Sequence, residues 1–333
     1  MRSVIVAQAI INQWPQANIH FVLSRQAPYA STCPFPTTLL EHSPTKEIAA
    51  VNELMALQRP DLVVFDASGR QAQLQMAHKL GAKVIFISQH RRKRSRGMKV
   101  GRAKVTDSHW VVQPEFVIGP ISTWDRCKLR LLGKEEPLFT GPIFTNPDVE
   151  SQTSLFERFG VEPGEYVIFN AGSGGHKVGD VLAADMFAQV ARDGYQSSGL
   201  KSLMVFGPNY PKALPDYPGV VSIPSLSNGE FINLLAAARG AVISGGDTLL
   251  QAIALKVPVL TVPVSKDQPP RIAACTRHKL VLSCSANADA MLTGYRNLLT
   301  EGTNAALTAA MQQGPGINGL ELGMAEIRRL LQA

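Results

Sequence analysis

The chain has 333 residues, enough for about two domains of ordinary size. It is 45% hydrophobic and 18% charged, which excludes wholesale disorder, and its four cysteines (Cys33, Cys127, Cys275, Cys284) show no CxxC spacing, which argues against a zinc ribbon or a disulfide scaffold and fits a reducing cytoplasm. The formal net charge is +7, but residues 91–104 carry eight basic side chains and no acidic one, so the basicity belongs to one patch and not to a chain-wide nucleic-acid footprint.

Residues 1–15 read as a helix from the first residue. Short runs rich in Val, Ile and Phe then alternate with helical patterns. Residues 18–24, 61–67, 83–88 and 109–114 read as buried strands, and 45–58 and 70–81 as the helices between them, the second ended by Gly81. Alternation of this kind indicates a parallel sheet with crossover helices. At residues 141–150 the pattern breaks into Pro, Asn and Gly, and the linker is placed there. A second series follows, with strands at 166–172, 201–207, 220–225, 241–244 and 257–264 and an edge strand at 278–283. Helices at 183–193, 229–239 and 248–255 sit between them, and 320–333 is amphipathic. The expected fold is α/β: two doubly wound, Rossmann-like domains, residues 1–147 and 148–333, facing each other across a cleft. In such sheets ligands bind beyond the carboxyl ends of the strands. No apolar run approaches about 18 residues, so a soluble protein is expected, cytoplasmic, at most lying on the inner face of a membrane.

Three loops of the second series leave strand carboxyl ends. The first holds Gly172, Ser173, Gly174, Gly175 and His176, with Lys177 next. Small residues let a backbone approach a ligand closely, and exposed N–H groups ahead of a helix suit a diphosphate; a plain flexible turn is the other reading. The second loop, at Ile223 and Ser225, offers backbone groups and an apolar wall to a flat base, or is simply a strand end. In the third, Gly245 and Gly246 end a strand and Thr248 opens a helix whose N–H groups favour an anion. Gln251 lies one turn on, where an amide could reach ribose hydroxyls. Asp267 and Gln268 follow the next strand, an acceptor and a donor for sugar hydroxyls, and Arg271 adds a charge.

This third stretch resembles the donor-binding motif of GT-B glycosyltransferases, above all the lipid II-forming N-acetylglucosaminyltransferase family. The family pattern S-G-x-x-T-x-x-E, a G-x-P turn and P-x-x-x-D-Q is matched by Ser244, Gly245, Thr248, Gln251, Pro258, Pro263, Asp267 and Gln268. The loop at Gly172–Gly175 is similar to a second family phosphate loop. No metal is expected, because helix N-termini and basic groups can take its place and no Asp-x-Asp motif appears, and no cofactor is expected. The resemblance implies a transferase. Gly245, Gly246 and Thr248 would hold the diphosphate of a uridine-linked sugar, Gln251 the ribose, and Asp267 with Gln268 the sugar. The sequence departs from the family at Gln251, where the family has Glu, and at Pro269-Pro270 after Asp267-Gln268. It departs also at Asp247, which as an N-cap would support the helix yet would oppose phosphate. The first domain is expected to lack the strand and Gly-rich loop that precede the family's first helix.

An inverting transfer needs a base near the acceptor hydroxyl. Asp66, at the end of the 61–67 strand, is the first choice and His90, at the end of the next, the second. His20, His42, His78 and His109 read as packing or surface residues. Arg91, Arg92, Lys93, Arg94, Arg96, Lys99, Arg102 and Lys104 begin just past His90 and are read as a patch for an anionic or lipid-linked acceptor or an anionic membrane surface, or as a solvated loop. No aromatic residues interleave with these charges, which speaks against nucleic acid. Two other readings keep the fold: a nucleotide-sugar hydrolase or 2-epimerase, and a non-catalytic nucleotide-sugar-binding partner.

Overall fold

The computed structural model describes residues 2–27, 30–314 and 316–332; Met1, where the first helix was expected to begin, lies outside them. The chain forms two units, Met1–Ile143 with Gly319–Ala333, and Phe144–Asn318.

In the first unit, β1 (Phe21–Ser24) pairs in parallel with β2 (Thr37–Leu40), and β3 (Leu62–Asp66), β4 (Lys83–Ser88), β5 (Ser108–Val111) and β6 (Leu138–Phe139) form a separate parallel sheet in that order. The alternation of side chains across the sheet sorts two cores. Ile85 and Ile87 face the helices Arg2–Gln13 and Gly319–Gln332, through Val6, Met324, Ile327 and Leu330. Val84 and Phe86 face the helices Ile48–Gln58 and Gln71–Lys79, through Val51, Met55, Leu74 and Ala77. Both faces of the sheet are thus covered by helices, which is why β4 reads as an unbroken apolar run.

The stretch from 320 on, expected with the second domain, packs in the first unit instead as the helix Gly319–Gln332; Ala333 lies outside the described residues. Gly323 sits so close to the buried Trp110 ring that a Cβ there would lie 2.9 Å from it. An amphipathic stripe fixes which face of a helix is buried, but not which core receives it.

The second unit holds β7 (Tyr166–Asn170), a two-stranded antiparallel hairpin of β8 (Lys177–Val178) and β9 (Val181–Leu182), β10 (Lys201–Val205), β11 (Val220–Ile223), β12 (Gly240–Ser244), β13 (Val259–Val262) and β14 (Leu282–Ser283). Its main sheet is parallel throughout, ordered β11-β10-β7-β12-β13-β14. β7 and β12 are buried at every position, as central strands of a doubly wound sheet must be. The winding runs outward from β7 through β10 to β11, then returns to the other side of β7 at β12. β7 and β12 therefore flank the switch point, and Asn170 pairs with Ile243 near their carboxyl ends. At that point the loops diverge and leave room for a ligand.

Candidate functional site

The two glycine loops leave the strands at this switch point. The first is fixed by Asn170, whose side chain accepts from the Gly172 N–H at 3.0 Å and donates to the Val205 carbonyl at 2.9 Å. Its shape depends on glycine for a reason invisible in the motif. Gly174 has φ +92°, and a Cβ there would lie 2.6 Å from the Phe206 carbonyl oxygen. Gly207, φ +95°, faces back: its Cβ would lie 2.5 Å from the Ser173 carbonyl carbon. The two loops touch backbone to backbone, joined by Asn209 N–H donating to Ser173 O at 2.8 Å. Gly207 was not singled out from sequence, although a glycine closing the 201–207 run was a visible signal. The helix that follows begins at Ala183, where it was expected, and the β8–β9 hairpin, which was not expected, lies between it and the loop. Two strands of two residues each, Lys177–Val178 and Val181–Leu182, give too short a pattern to read.

The second loop packs against the first: a Cβ on Gly172 would lie 3.5 Å from Ser244 Oγ and 3.6 Å from the His176 ring. Gly246 caps the helix Asp247–Ala254, so Asp247 is its first residue and not its N-cap. Leu249, Leu250, Ala252 and Ile253 bury one face of that helix, while Thr248 and Gln251 stay half-buried. Among the described residues, the backbone N–H groups of Ser173, Gly174, Gly175, Gly246, Asp247 and Thr248 donate no hydrogen bond. Two sets of unengaged amides, from adjacent strand ends, therefore lie at one switch point.

Two expected contacts are engaged inside the protein. Gln268 is 5% exposed, and its Oε1 accepts from Val264 N–H at 2.8 Å and from Gly245 N–H at 3.2 Å. It fastens the loops after β12 and β13 together, and it takes the Gly245 amide away from any ligand. Ile223 is buried, and its carbonyl accepts from Phe206 N–H. Ser225 is exposed beyond β11, an edge strand two places from β7, roughly 10 Å away at the usual strand spacing.

The charged groups gather at the second loop. Arg271 donates from Nη1 to the Gly245 carbonyl at 2.7 Å and pairs through Nη2 with Asp247 at 3.2 Å, while its buried Nε has no partner. Asp267 is exposed. A hydrogen bond from Ser265 holds its carboxyl below the ordinary value against partial desolvation, with smaller help from Arg271 and His176. His176, Asp267 and Arg271 thus share one electrostatic neighbourhood.

In the first unit the structure separates the two candidate bases. Both Asp66 oxygens accept hydrogen bonds, one from the Arg2 guanidinium and the other from Ser3 Oγ at 2.6 Å, so the carboxylate anchors the first helix. His90 is exposed at the start of the helix Arg91–Gly97, and its side chain makes no capping bond. Partial desolvation, and then Lys93, Arg92 and Arg96, lower its pKa, which favours the neutral, proton-accepting imidazole. His109 lies on Ser88 Oγ at 3.0 Å, and burial holds it neutral with a pKa of about 3.

The basic run is helical, as Arg91–Gly97 and Val100–Ala103, and it is only partly a surface patch. Lys93 donates to the Ala67 carbonyl and Arg102 to Gly69 at 2.9 Å, fixing the loop after β3. Arg91 donates to Ile118 at 2.6 Å and Arg94 to Gly119 and Pro120, fixing another loop. Arg94 and Arg102 are buried and lie over Phe139 and Phe86 at 5.6 Å. Arg92, Arg96, Lys99 and Lys104 remain exposed.

No family model matches the sequence, and no curated protein matches it by sequence. Solved structures do match, over nearly the whole chain. The spinosyn forosaminyltransferase SpnP is 15% identical with a TM-score of 0.65, covering 100% of this chain and 95% of its own. MurG of Acinetobacter baumannii is 12% identical with a TM-score of 0.64, covering 98% and 95%. The UDP-GlcNAc 2-epimerase of Methanocaldococcus jannaschii is 15% identical with a TM-score of 0.60, covering 99% and 97%. The fold is GT-B. It is shared by glycosyltransferases and by UDP-GlcNAc 2-epimerases, so it bounds the chemistry without choosing within it. No helix among the described residues is long and apolar enough to cross a membrane.

Proposed function

We propose that the chain is a GT-B glycosyltransferase whose second unit binds a nucleoside diphosphate sugar, uridine-linked, at the β7–β12 switch point. The observation that carries this reading is the pair of unengaged amide sets, Ser173–Gly175 and Gly246–Thr248, beside the Arg271 guanidinium. Backbone N–H groups at a helix start, with a nearby cation, suit a diphosphate and its developing charge as a leaving group. In this reading Gly246 and Thr248 hold the phosphates, while Gly245 acts through its carbonyl on Arg271. Gln251, with an uncommitted amide, takes the ribose, and Asp267 the sugar hydroxyls. Gln268 is a positioning residue.

The first unit serves the acceptor, with His90 as the base and Arg92, Arg96, Lys99 and Lys104 as the attraction for an anionic or lipid-linked acceptor or an anionic membrane surface. The functional domains meet near residue 147, close to where the chain passes between the units. A 2-epimerase or hydrolase is the second reading, favoured by the likeness to the UDP-GlcNAc 2-epimerases.

One experiment separates these. Uridine diphosphate is titrated calorimetrically, and hydrogen exchange is followed in residues 172–176 and 244–251. Binding with protection there supports the site. Absence of both at saturating nucleotide overturns it. UDP-GlcNAc is then supplied with and without a lipid-phosphate acceptor: transfer supports the first reading, whereas acceptor-independent release of sugar or of its 2-epimer supports the second.

A further inference from the structure

One charge at the switch point works against the ligand proposed for it. Asp247 is the first residue of the helix Asp247–Ala254, where an acidic side chain is ordinarily favourable to the helix. It stands beside the unengaged N–H groups of Gly246 and Thr248, and two thirds of its side chain is exposed. Its partner Arg271 is mostly buried, with Nη1 committed to the Gly245 carbonyl and Nη2 to Asp247, while Nε is buried and unpaired. A buried guanidinium without a counter-charge is costly. Asp247 supplies that counter-charge.

The consequence depends on the charge of the ligand. A nucleoside diphosphate sugar is a diphosphate diester and has no terminal phosphate to titrate. The free nucleoside diphosphate has one, and above about pH 6 it carries roughly one more negative charge. A diester can share Arg271 with Asp247, whereas the extra charge of the free diphosphate meets the carboxylate directly.

We infer that Asp247 makes the site discriminate between donor and product: it is the counter-charge of Arg271 and repels the additional charge of the free nucleoside diphosphate, so that the sugar nucleotide is held and the spent nucleotide is released. This inference rests on the proposed nucleotide-sugar reading, and it concerns the side chain that the motif comparison marks as a departure. A unit charge about 6 Å away under near-aqueous screening changes affinity about three-fold.

The test compares dissociation constants of UDP and UDP-GlcNAc for the native chain, Asp247→Asn and the charge-retaining Asp247→Glu, by calorimetry at low salt and pH 7.5. The native chain and Asp247→Glu are expected to show the same ratio of the two constants. In Asp247→Asn the ratio shifts about three-fold in favour of UDP, and the shift shrinks as salt screens it. An equal gain for both ligands in Asp247→Asn would overturn the inference, because it would mean that Asp247 merely occupies Arg271. A shift that also appears in Asp247→Glu would overturn it as well, by tracing the effect to shape. If neither ligand binds the native chain, the nucleotide-sugar reading itself fails, and that failure is distinct from a failure of discrimination in a site that binds.

Discussion

Replacing Gln268 by Met tests whether the switch-point loops are fastened by one buried amide. Methionine has nearly the same length and volume but offers no comparable acceptor, so packing is kept and two hydrogen bonds are lost. The Val264 N–H has Gln268 Oε1 as its partner at 2.8 Å, and the Gly245 N–H shares its proton between Gln268 at 3.2 Å and Val262 O at 3.3 Å. Leaving one buried donor unsatisfied costs about 1–3 kcal/mol, and the second loss is smaller because Val262 remains. A total of about 2–3 kcal/mol is expected, a fall of roughly 5–10 °C in melting temperature for a unit of this size. The assay is calorimetric melting of the whole chain, with hydrogen exchange assigning the change to the second unit. Exchange at Gly245 and Val264 should accelerate most, and UDP should bind more weakly because the helix start is no longer held. A Gln268→Met protein that melts within a degree of the native chain, with unchanged exchange at those two amides, would refute the reasoning.

The remaining predictions concern other contacts of the two units. Gly174→Ala should destabilise the second unit by about 2–4 kcal/mol, combining a Cβ 2.6 Å from the Phe206 carbonyl with a left-handed φ; denaturant titration measures it. Arg94→Ala should cost the first unit about 2–3 kcal/mol in the same assay, because two backbone carbonyls lose a buried charged donor. Arg92→Ala and Arg96→Ala, on exposed side chains, should change stability by less than about 0.5 kcal/mol and yet weaken sedimentation with anionic phospholipid vesicles. If His90 is the base, His90→Gln should lower kcat by about 10²–10⁴-fold. Because desolvation and then Lys93, Arg92 and Arg96 depress its pKa, the neutral imidazole persists below the ordinary histidine value; activity should fall only at lower pH, and Arg92→Ala should move that acid limb upward. An acid limb indifferent to Arg92→Ala would exclude His90 from the role.

Much of this fold was readable because central parallel strands are apolar on both faces. The runs at 83–88, 166–170 and 241–244 announce themselves, and turn glycines mark where each strand ends. What no local pattern carried was the destination of each piece. The β1–β2 pair, the short β8–β9 hairpin and the final helix each gain their place from tertiary partners, and the eight basic residues gave no apolar period from which their helices could be read.

The candidate site shows the same division in finer detail. Sequence places glycines, an amide and a carboxylate at strand ends, but these residue types serve equally for contact with a ligand and for contact with the next loop. In this chain the neighbouring loop takes precedence at Gly174, Gly207 and Gln268, and a helix takes it at Asp66. These engagements work in favour of a site. Because Asn170, Gln268 and Arg271 tie down the turns, the amides of Ser173–Gly175 and Gly246–Thr248 are left without internal partners and already held in place. An anion arriving there needs to order little of the backbone, and preorganisation of that kind is what gives weak dipoles their strength. Gln268, read from sequence as a sugar contact, instead holds the turn whose backbone amides would meet the diphosphate in the proposed reading.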